Sequence, residues 1–220
     1  ADELLIELLI EPEYRYAGRI KTKDGRVFFF HSTKFDINGL GASEIAKDKG
    51  YAAYFMSQLG YPVPEGEAFY SKEWCRVVKS DKDAARALKY ARKIGFPLIV
   101  KPNSQSQGKG VEKVYSEKAL KVALAYIFDG IKDKVALVQK IVNGSDYRIV
   151  VLDEEVLCVY LRRPLSVLGD GTHTINELLS LKQQEFVARG RDTVISLTDP
   201  RIARRLDRNN LRLTSVLKNG

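Results

Sequence analysis

A lysine at the end of an apolar run, followed by a small polar loop, is the group in this sequence best suited to bind phosphate. Lys101 follows the apolar residues 97–100, and the loop over 103–110 includes the turn Gly108-Lys109-Gly110. The backbone N–H groups of such a loop can close over phosphate oxygens, while the lysine supplies a positive charge. Taken alone, the pattern favours a plain hairpin, because polar loops of this kind more often only reverse the chain.

Other kinds of catalytic site are disfavoured by the residues present. Neither the phosphate loop G-x-x-x-x-G-K-[ST] nor a G-x-G-x-x-G turn between a strand and a helix occurs. Cys75 and Cys158 lie far apart, without the spacing of a zinc site or a disulfide framework. A histidine-rich metal centre or a Ser-His-Asp triad would have to use His31 or His173, the only two imidazoles.

Asp170 and His173 are close enough in sequence to suggest acid–base catalysis. The Gly-Asp-Gly sequence over 169–171 is also typical of a tight turn, and His173 directly precedes a predicted helix cap. We therefore favour a turn and a cap over a catalytic pair.

The net charge indicates an anionic partner without identifying it. The 220 residues carry a formal charge of +8, which suits nucleotide phosphates, acidic peptides and nucleic acid alike. One basic cluster has near-helical spacing and consists of Arg201, Arg204, Arg205, Arg208 and Arg212. We interpret it as a solvated helix face rather than a nucleic-acid surface, since such runs usually are exposed faces.

The elements that position these residues are predicted from hydrophobic periodicity. A helical pattern over 43–59 contains Gly50, which weakens a helix and can split this one in two. A second helix begins near Ser80 and Asp81, the candidate caps, and ends before Gly95. It leads directly into the apolar strand that precedes the polar loop.

After the loop, strands and helices continue to alternate. The pattern predicts a strand over 111–115, a helix over 117–128 and a buried strand over 135–142. The buried face of that helix is expected to comprise Leu120, Ala123, Leu124 and Ile127. Residues 147–152 and 156–161 are predicted to form an antiparallel hairpin across an acidic turn.

The two ends of the chain complete the prediction. Thr174 and Glu177 have the spacing of a capping box, at the start of a helix that reaches about residue 189. Residues 1–40 are ambiguous apart from a turn at 23–26 and a strand at 27–30. Strands and helices in this order predict a mixed α/β or α+β fold rather than an alternating parallel sheet.

Several of these features together resemble the ATP-grasp superfamily. In that family a strand ending in Lys-Pro, here Lys101-Pro102, precedes a flexible glycine-rich loop over the phosphates. A strand of the type Val-Glu-x-x-Ile-x-Gly-x-Glu follows, and residues 138–146 are similar to it. An upstream lysine, for which Lys49 is the candidate, also reaches the phosphates in the family.

The resemblance implies a set of nucleotide-binding residues. Lys49 and Lys101 would contact the phosphates, residues 104–110 would form the lid, and Asp146 would bind the ribose. The remaining implied contacts, in the lid and along the strand whose backbone bonds adenine, are Ser106, Gly108, Lys109, Gly110, Gln139, Lys140 and Val142. Gln139 and Asp146 depart from the glutamates of the family, which a backbone contact at Gln139 would tolerate.

The most specific similarity lies over 146–148 and 161–178. This stretch looks like the Arg-x-Pro-x-x-Val-x-Gly-Asp-Gly-x-His-Thr-Ile-x-Glu-Leu segment of the cyanophycin synthetase group and of the glutathione-synthetase half of the bifunctional bacterial enzyme. Such enzymes need cations around the transferring phosphoryl group and the acid substrate. Arg148 and Arg162 are therefore the implied catalytic residues, because a guanidinium can hold a carboxylate or phosphate through two parallel N–H bonds.

The resemblance also implies an architecture: an ATP-grasp fold with a small lid subdomain and a C-terminal antiparallel-sheet subdomain that is truncated. The expected divisions are 1–65 as an N-terminal segment, 66–137 as the lid subdomain and 138–220 as the incomplete C-terminal subdomain. The family's Mg²⁺ ligands follow a segment similar to 213–220, so we expect them downstream and name no metal ligand in this sequence.

The implied function is an ATP-dependent carboxylate–amine ligase that forms an amide or peptide bond through an acyl phosphate. ATP, Mg²⁺ and an acidic amino acid or peptide would be its ligands. A non-catalytic ATP-binding or regulatory module is the main alternative, and a basic nucleic-acid-binding domain the last. No apolar run is long enough to span a bilayer, so we expect a cytoplasmic protein without membrane contact, its homo-oligomeric state left open.

Overall fold

The computed structural model describes residues 6–106 and 108–219. By internal contacts it divides into two compact units, Ala1–Asn143 and Gly144–Gly220, and each is described by itself. Across the described ranges, no helix has both the length and the apolar character needed to cross a membrane.

The first unit begins with a four-stranded antiparallel meander. Its strands are β1 (Glu7–Ile10), β2 (Ala17–Lys21), β3 (Val27–His31) and β4 (Lys34–Phe35). The turn predicted at 23–26 joins β2 to β3, and Gly25 takes a φ of 86° there, a conformation that glycine adopts without steric cost.

Two short helices follow, α1 (Leu40–Lys47) and α2 (Lys49–Gln58). The predicted split of the helical pattern is confirmed, but it falls at Asp48 and not at Gly50. Asp48 is extended, and its side chain accepts a hydrogen bond from the backbone N–H of Tyr51 at 2.8 Å, which caps α2. The aspartate side chain satisfies a backbone N–H that is otherwise unpaired at the start of α2. Gly50 only lowers the helix propensity, so the helix continues through it.

A second antiparallel sheet forms the centre of this unit. It contains β5 (Gly66–Tyr70), β6 (Leu98–Pro102), β7 (Glu112–Val114) and β8 (Val135–Lys140) in the order β5-β8-β6-β7. Three helices accompany it, α3 (Lys72–Val78), α4 (Ala84–Ile94) and α5 (Glu117–Ala125), and a π-helical turn (Tyr126–Gly130) follows α5. The sequence did not predict β5 or α3.

Helices α4 and α5 bury their apolar sides against one face of the sheet. All four residues predicted for the buried face of the helix over 117–128 are buried, three on α5 and Ile127 on the π-helical turn. They share a cluster with Phe69, Ala87, Ala91, Leu98, Val100 and Val138. The proposed caps of α4, Ser80 and Asp81, are wrong, because Asp83 accepts the capping bond from Arg86. Because side chains alternate along a strand, Lys101 of β6 lies on the face opposite this core.

The second unit consists of a hairpin and two helices. The hairpin pairs β9 (Tyr147–Leu152) with β10 (Glu155–Leu161), as predicted. The predicted capping box of Thr174 and Glu177 is present at the start of α6 (Ile175–Ala188). Helix α7 (Pro200–Arg208) carries four of the five arginines of the basic cluster, and Arg212 lies beyond its end. The backbone of Leu217 accepts a hydrogen bond from Gly171, so the C-terminal segment lies along the turn before α6.

Candidate functional site

Lys49 connects the first turn of α2 to the loop that follows β6. Its Nζ donates to the backbone oxygens of Asn103 and Gln105, both at 2.6 Å. Burial lowers the pKa of this lysine, and the nearby charges of Asp133 and Asp48 partly offset that shift. An ammonium has three N–H donors, so these two bonds leave one for a further acceptor.

Lys101 shares this environment. Burial is the main cause that lowers its pKa, and the positive charge of Lys49 lowers it further. Two like charges in a partly desolvated place favour the neutral forms unless an anion joins them. The pair is therefore arranged to gain from a bound polyanion.

Asn103 is a buried polar residue, 6% exposed, at the junction of loop and helix. Its Nδ2 donates to Asp48 Oδ2 at 2.6 Å, and its Oδ1 accepts from the backbone N–H of Gly50 at 3.1 Å. The backbone N–H of Asn103 donates to Val135 at 2.9 Å, which continues the pairing of β6 with β8. One side chain thus joins the sheet, the loop and the start of α2.

Asp133 anchors the beginning of the same loop. It is 8% exposed, and its Oδ2 accepts from the backbone N–H and the hydroxyl of Ser104 at 2.9 and 2.7 Å. Its Oδ1 accepts from the backbone N–H of Val135 at 3.1 Å. The bonds from Ser104 to Asp133 hold the start of the loop in place.

Further along, the loop turns twice. Gly108 and Gly110 have φ values of 73° and 71°, in the left-handed region that side chains disfavour. The backbone N–H of Lys109 bonds to Ser106 at 3.1 Å. Gln107, which belongs to the predicted lid, lies outside the described residues.

The strand assigned to adenine is β8 with the residues after it. Gln139 is buried at 6% exposure, and a side chain at Gly66 of β5 would overlap its Cγ. Lys140 donates its backbone N–H to Glu65 at 2.8 Å, and its Nζ lies 2.7 Å from the Glu65 carboxylate. Val142 lies beyond the end of β8 and is exposed.

In the second unit, two predicted site residues contact each other. The backbone N–H of Arg162 donates to Asp146 at 2.7 Å, and Arg162 Nη1 lies 3.5 Å from Asp146 Oδ2. Arg148 is exposed on β9, directly opposite Tyr160 of β10. The family resemblance implies different ligands for Asp146 and Arg162 and does not predict their contact.

Asp170 and His173 form the turn that the sequence indicated. Asp170 accepts from the backbone N–H groups of Thr172 and His173 at 2.9 and 2.8 Å, and its other oxygen lies 2.5 Å from His173 Nδ1. These bonds from His173 are the main cause that lowers the pKa of Asp170, and in return the bond from Asp170 raises the pKa of His173. Both side chains serve the turn that leads into α6.

No metal centre can be assigned from the geometry. In the part of the chain that the structure describes, no three His, Cys, Asp or Glu side chains are grouped so that they could hold a metal ion.

A protein-family model covers more than half of the chain. The model described as "D-ala D-ala ligase C-terminus" matches residues 55–168, which is more than half of the chain and includes Lys101 and the loop. The chain belongs to this ATP-grasp family. The mixed α/β architecture with antiparallel sheets, predicted from the sequence, is confirmed.

The curated relatives include both groups that the sequence resembles, cyanophycin synthetase and the bifunctional glutathione enzyme. The chain is 28% identical over 193 residues to the cyanophycin synthetase of Crocosphaera subtropica, a match that covers 86% of the chain and 21% of that protein. It is 33% identical over 146 residues to the glutathione biosynthesis bifunctional protein of Enterococcus faecalis, covering 64% and 17% respectively. The chain therefore spans about a fifth of the length of these two curated relatives.

Among solved structures, a bifunctional glutathione synthetase from Pasteurella multocida matches 96% of the chain and 27% of its own length, with 21% identity and a TM-score of 0.45. A D-alanine–D-alanine ligase from Bacillus anthracis complexed with ATP matches 57% of the chain and 37% of its own, with 24% identity and a TM-score of 0.45.

Asn103, Asp133 and Asp48 are the site residues that the sequence analysis missed. Each is a single polar residue next to a buried strand or a helix start, and such residues are common in any fold. The only available signal was position, since Asn103 follows the Lys-Pro pair and Asp48 precedes the candidate lysine.

Proposed function

We propose that this chain binds ATP and takes part in the ATP-dependent ligation of a carboxylate to an amine. The observation that carries the proposal is that Lys49 bonds to the loop after β6 through Asn103 and Gln105, and that its positive charge acts on Lys101 at the end of that strand. Two ammonium groups held in this way suit the phosphates of a nucleotide better than a single carboxylate.

The nucleotide contacts that we propose follow from this pair. Lys49 and Lys101 hold phosphate oxygens, and the loop from 104 to 110 covers them. The lid contacts are Ser106, Gly108, Lys109 and Gly110, and the adenine contacts are Gln139, Lys140 and Val142. Gly108 and Gly110 support the lid role, because their positive φ values let backbone N–H groups turn toward an anion.

In the second unit we propose Asp146 for the ribose and Arg148 and Arg162 for the acidic substrate, an amino acid or a peptide. The exposure of all three side chains supports this, since each can be reached from solvent. We also propose that residues 66–137 act as the lid subdomain and 138–220 as part of the C-terminal subdomain, after the N-terminal segment 1–65.

When bound, ATP supplies the phosphoryl group that converts the carboxylate to an acyl phosphate, from which the amine displaces phosphate. This chain's lysines would neutralise charge on the transferring group, and its arginines would orient the acid. Mg²⁺ belongs to such a reaction, but we assign it no ligand, because the residues that the structure describes contain no suitable cluster.

Trapping with hydroxylamine tests the ligase proposal. The chain is incubated with ATP, Mg²⁺ and a panel of acidic amino acids and short acidic peptides, and hydroxamate formation is measured. Hydroxamate that depends on both ATP and one acid, and that Lys101→Met abolishes, would support the acyl phosphate. ATP binding without hydroxamate for any acid would instead favour the non-catalytic nucleotide-binding module.

A further inference from the structure

Asn103 is joined to three successive residues at the start of α2. Its Nδ2 bonds to Asp48, its Oδ1 accepts from the backbone of Gly50, and its backbone oxygen accepts from Lys49 Nζ. Asn103 is itself held in the sheet through Val135. The start of the helix is thus tied to the end of β6 and, through Val135, to β8.

We propose that Asn103 and Asp48 act together as a lock that positions Lys49 for phosphate, which makes Asn103 a positioning residue of the nucleotide site. The inference rests on the proposed function of that site, which it deepens. It assigns a role to two residues that have no place in the predicted set of nucleotide contacts.

Asp48 has two partners that lie on different elements. Its Oδ1 accepts from the backbone N–H of Tyr51 at 2.8 Å, which starts α2, and its Oδ2 accepts from Asn103 Nδ2 at 2.6 Å. The same carboxylate therefore sets where the helix begins and where that beginning lies against the sheet. Lys49 is the next residue, so its Cα is fixed by both bonds.

Gly50 places the start of α2 beside the central sheet, with room for a methyl group between them. A Cβ built at Gly50 would lie 3.3 Å from Asp48 Oδ1, 3.8 Å from Leu137 Cδ2 and 3.9 Å from Ala68 Cβ. Leu137 and Ala68 are paired on β8 and β5. The first turn of α2 thus lies beside the central sheet, and Asn103 bonds to it there through Asp48 and Gly50.

The lock also orients the loop. The carbonyls of Asn103 and Gln105 both point at Lys49 Nζ. In a trans peptide the N–H points away from the carbonyl, so the N–H groups of Ser104 and Ser106 point away from Nζ. Ser104 follows this rule, since its N–H bonds to Asp133. Lys49 therefore fixes the direction of the carbonyls of Asn103 and Gln105 and keeps one donor for an incoming anion.

A purely structural tie would behave differently from a positioning residue. A variant that only loosens the fold should weaken the binding of adenosine and of ATP alike. A variant that misplaces Lys49 should weaken ATP binding selectively, because only ATP carries the phosphates that Lys49 would contact.

The test uses isosteric exchanges in the whole chain. Asn103→Asp removes the amide donor and places two carboxylates side by side. Combining it with Asp48→Asn restores an amide opposite a carboxylate in the reverse order, and both backbone bonds keep their acceptors. The affinities for ATP with Mg²⁺ and for adenosine are measured by calorimetry, and folding is checked by urea unfolding.

We expect Asn103→Asp to weaken ATP binding about tenfold, as the loss of one charge-assisted buried hydrogen bond would, with little change for adenosine. The double variant, Asn103→Asp with Asp48→Asn, should recover most of the lost ATP affinity. In a Lys49→Met background, Asn103→Asp should add almost nothing, because a residue that acts through Lys49 has no further effect once that lysine is gone.

Three results would overturn the lock. The first is that Asn103→Asp weakens the binding of ATP and of adenosine equally. The second is that the double variant with Asp48→Asn recovers no ATP affinity. The third is that Asn103→Asp weakens ATP binding as much in the Lys49→Met background as in the parent. Each can occur while the parent still binds ATP and Lys49→Met still weakens it, so the proposed function would survive. A parent without ATP binding would instead contradict the proposed function and the lock with it.

Discussion

Arg162 and Asp146 form an ion pair in the second unit, with 3.5 Å between Nη1 and Oδ2. Their side chains are 49% and 63% exposed, so water screens the pair and its contribution to folding is small. Either group can therefore leave the pair for a ligand at little cost. The pair holds each side chain near the hairpin in the absence of ligand.

Substituting Asp146 or Arg162 should affect ligand binding without a large change in the free energy of unfolding. Asp146→Ala and Arg162→Ala should each change the free energy of unfolding by less than about 1 kcal/mol, the usual range for an exposed pair. ATP affinity measured without an acid substrate should fall for Asp146→Ala and stay near the parent value for Arg162→Ala. Equal loss of ATP affinity in both variants would contradict the separate roles proposed for ribose and acid.

ATP binding should have an alkaline limit set by the two lysines. Their folded-state pKa values lie below the ordinary 10.5, so as the pH rises they lose their protons before an exposed lysine does. As the pH rises, ATP affinity should therefore begin to decline before pH 10.5 is reached. Lys101→Arg should extend ATP binding to higher pH, because arginine stays charged. Calorimetric titrations from about pH 7 to about pH 10 measure this; an unchanged limit in the arginine variant would count against it.

The carboxylate of Asp133 should be a strong contributor to the stability of the first unit. Asp133→Asn replaces one acceptor by a donor that faces a backbone N–H, and an unmade buried hydrogen bond costs about 1–3 kcal/mol. Asp129→Asn is the matched control, because Asp129 is exposed and should change stability by less than about 0.5 kcal/mol. Urea unfolding compares them, and equal stabilities would refute the anchoring role.

His173 should titrate above its ordinary pKa of 6.5, since the bond from Asp170 raises it. The stabilising effect on the turn is complete below 6.5 and is lost as the pH rises through the higher folded-state pKa. On the acid side, the effect is lost as the pH falls through the lowered pKa of Asp170. NMR titration of the imidazole should show a lower midpoint in Asp170→Asn, and an unchanged midpoint would rule out the pairing.

Much of the fold could be predicted because local chemistry decides it. The capping box at Thr174 and Glu177 satisfies two backbone donors with adjacent side chains, and α5 shows its apolar face at helical spacing. The hairpin after Asp146 was clear because β-branched residues flank an acidic turn. In each case the deciding partners lie within a few residues of one another.

Strand β5 and the cap of α4 could not be predicted in the same way. The pairing of β5 with β8 joins Gly66 to Gln139, far along the chain, and no local pattern reports it. Ser80, Asp81 and Asp83 are all suitable caps, and only the path of the backbone between β5 and α4 selects Asp83.

In the candidate site, too, the features that depend on local residues could be predicted, and those that depend on residues far apart in the sequence could not. Lys101 and the glycines of the loop were visible in the sequence, because residue type and spacing carry their chemistry. The bond between Asn103 and Asp48 joins residues 55 positions apart, and neither residue is unusual where it stands. Packing brings them together, so their contact is visible only in the structure.

Calorimetric titration of the chain with ATP and Mg²⁺ tests the central claim most directly, with Lys101→Ala beside Lys118→Ala as the control. Lys118 is exposed on α5, so the control removes the same charge outside the site. We predict that the parent and the control bind ATP with similar affinity and that Lys101→Ala loses about tenfold or more, as expected for a lost charge-assisted contact. No binding by the parent, or an equal loss in both variants, would contradict a nucleotide site built on Lys101.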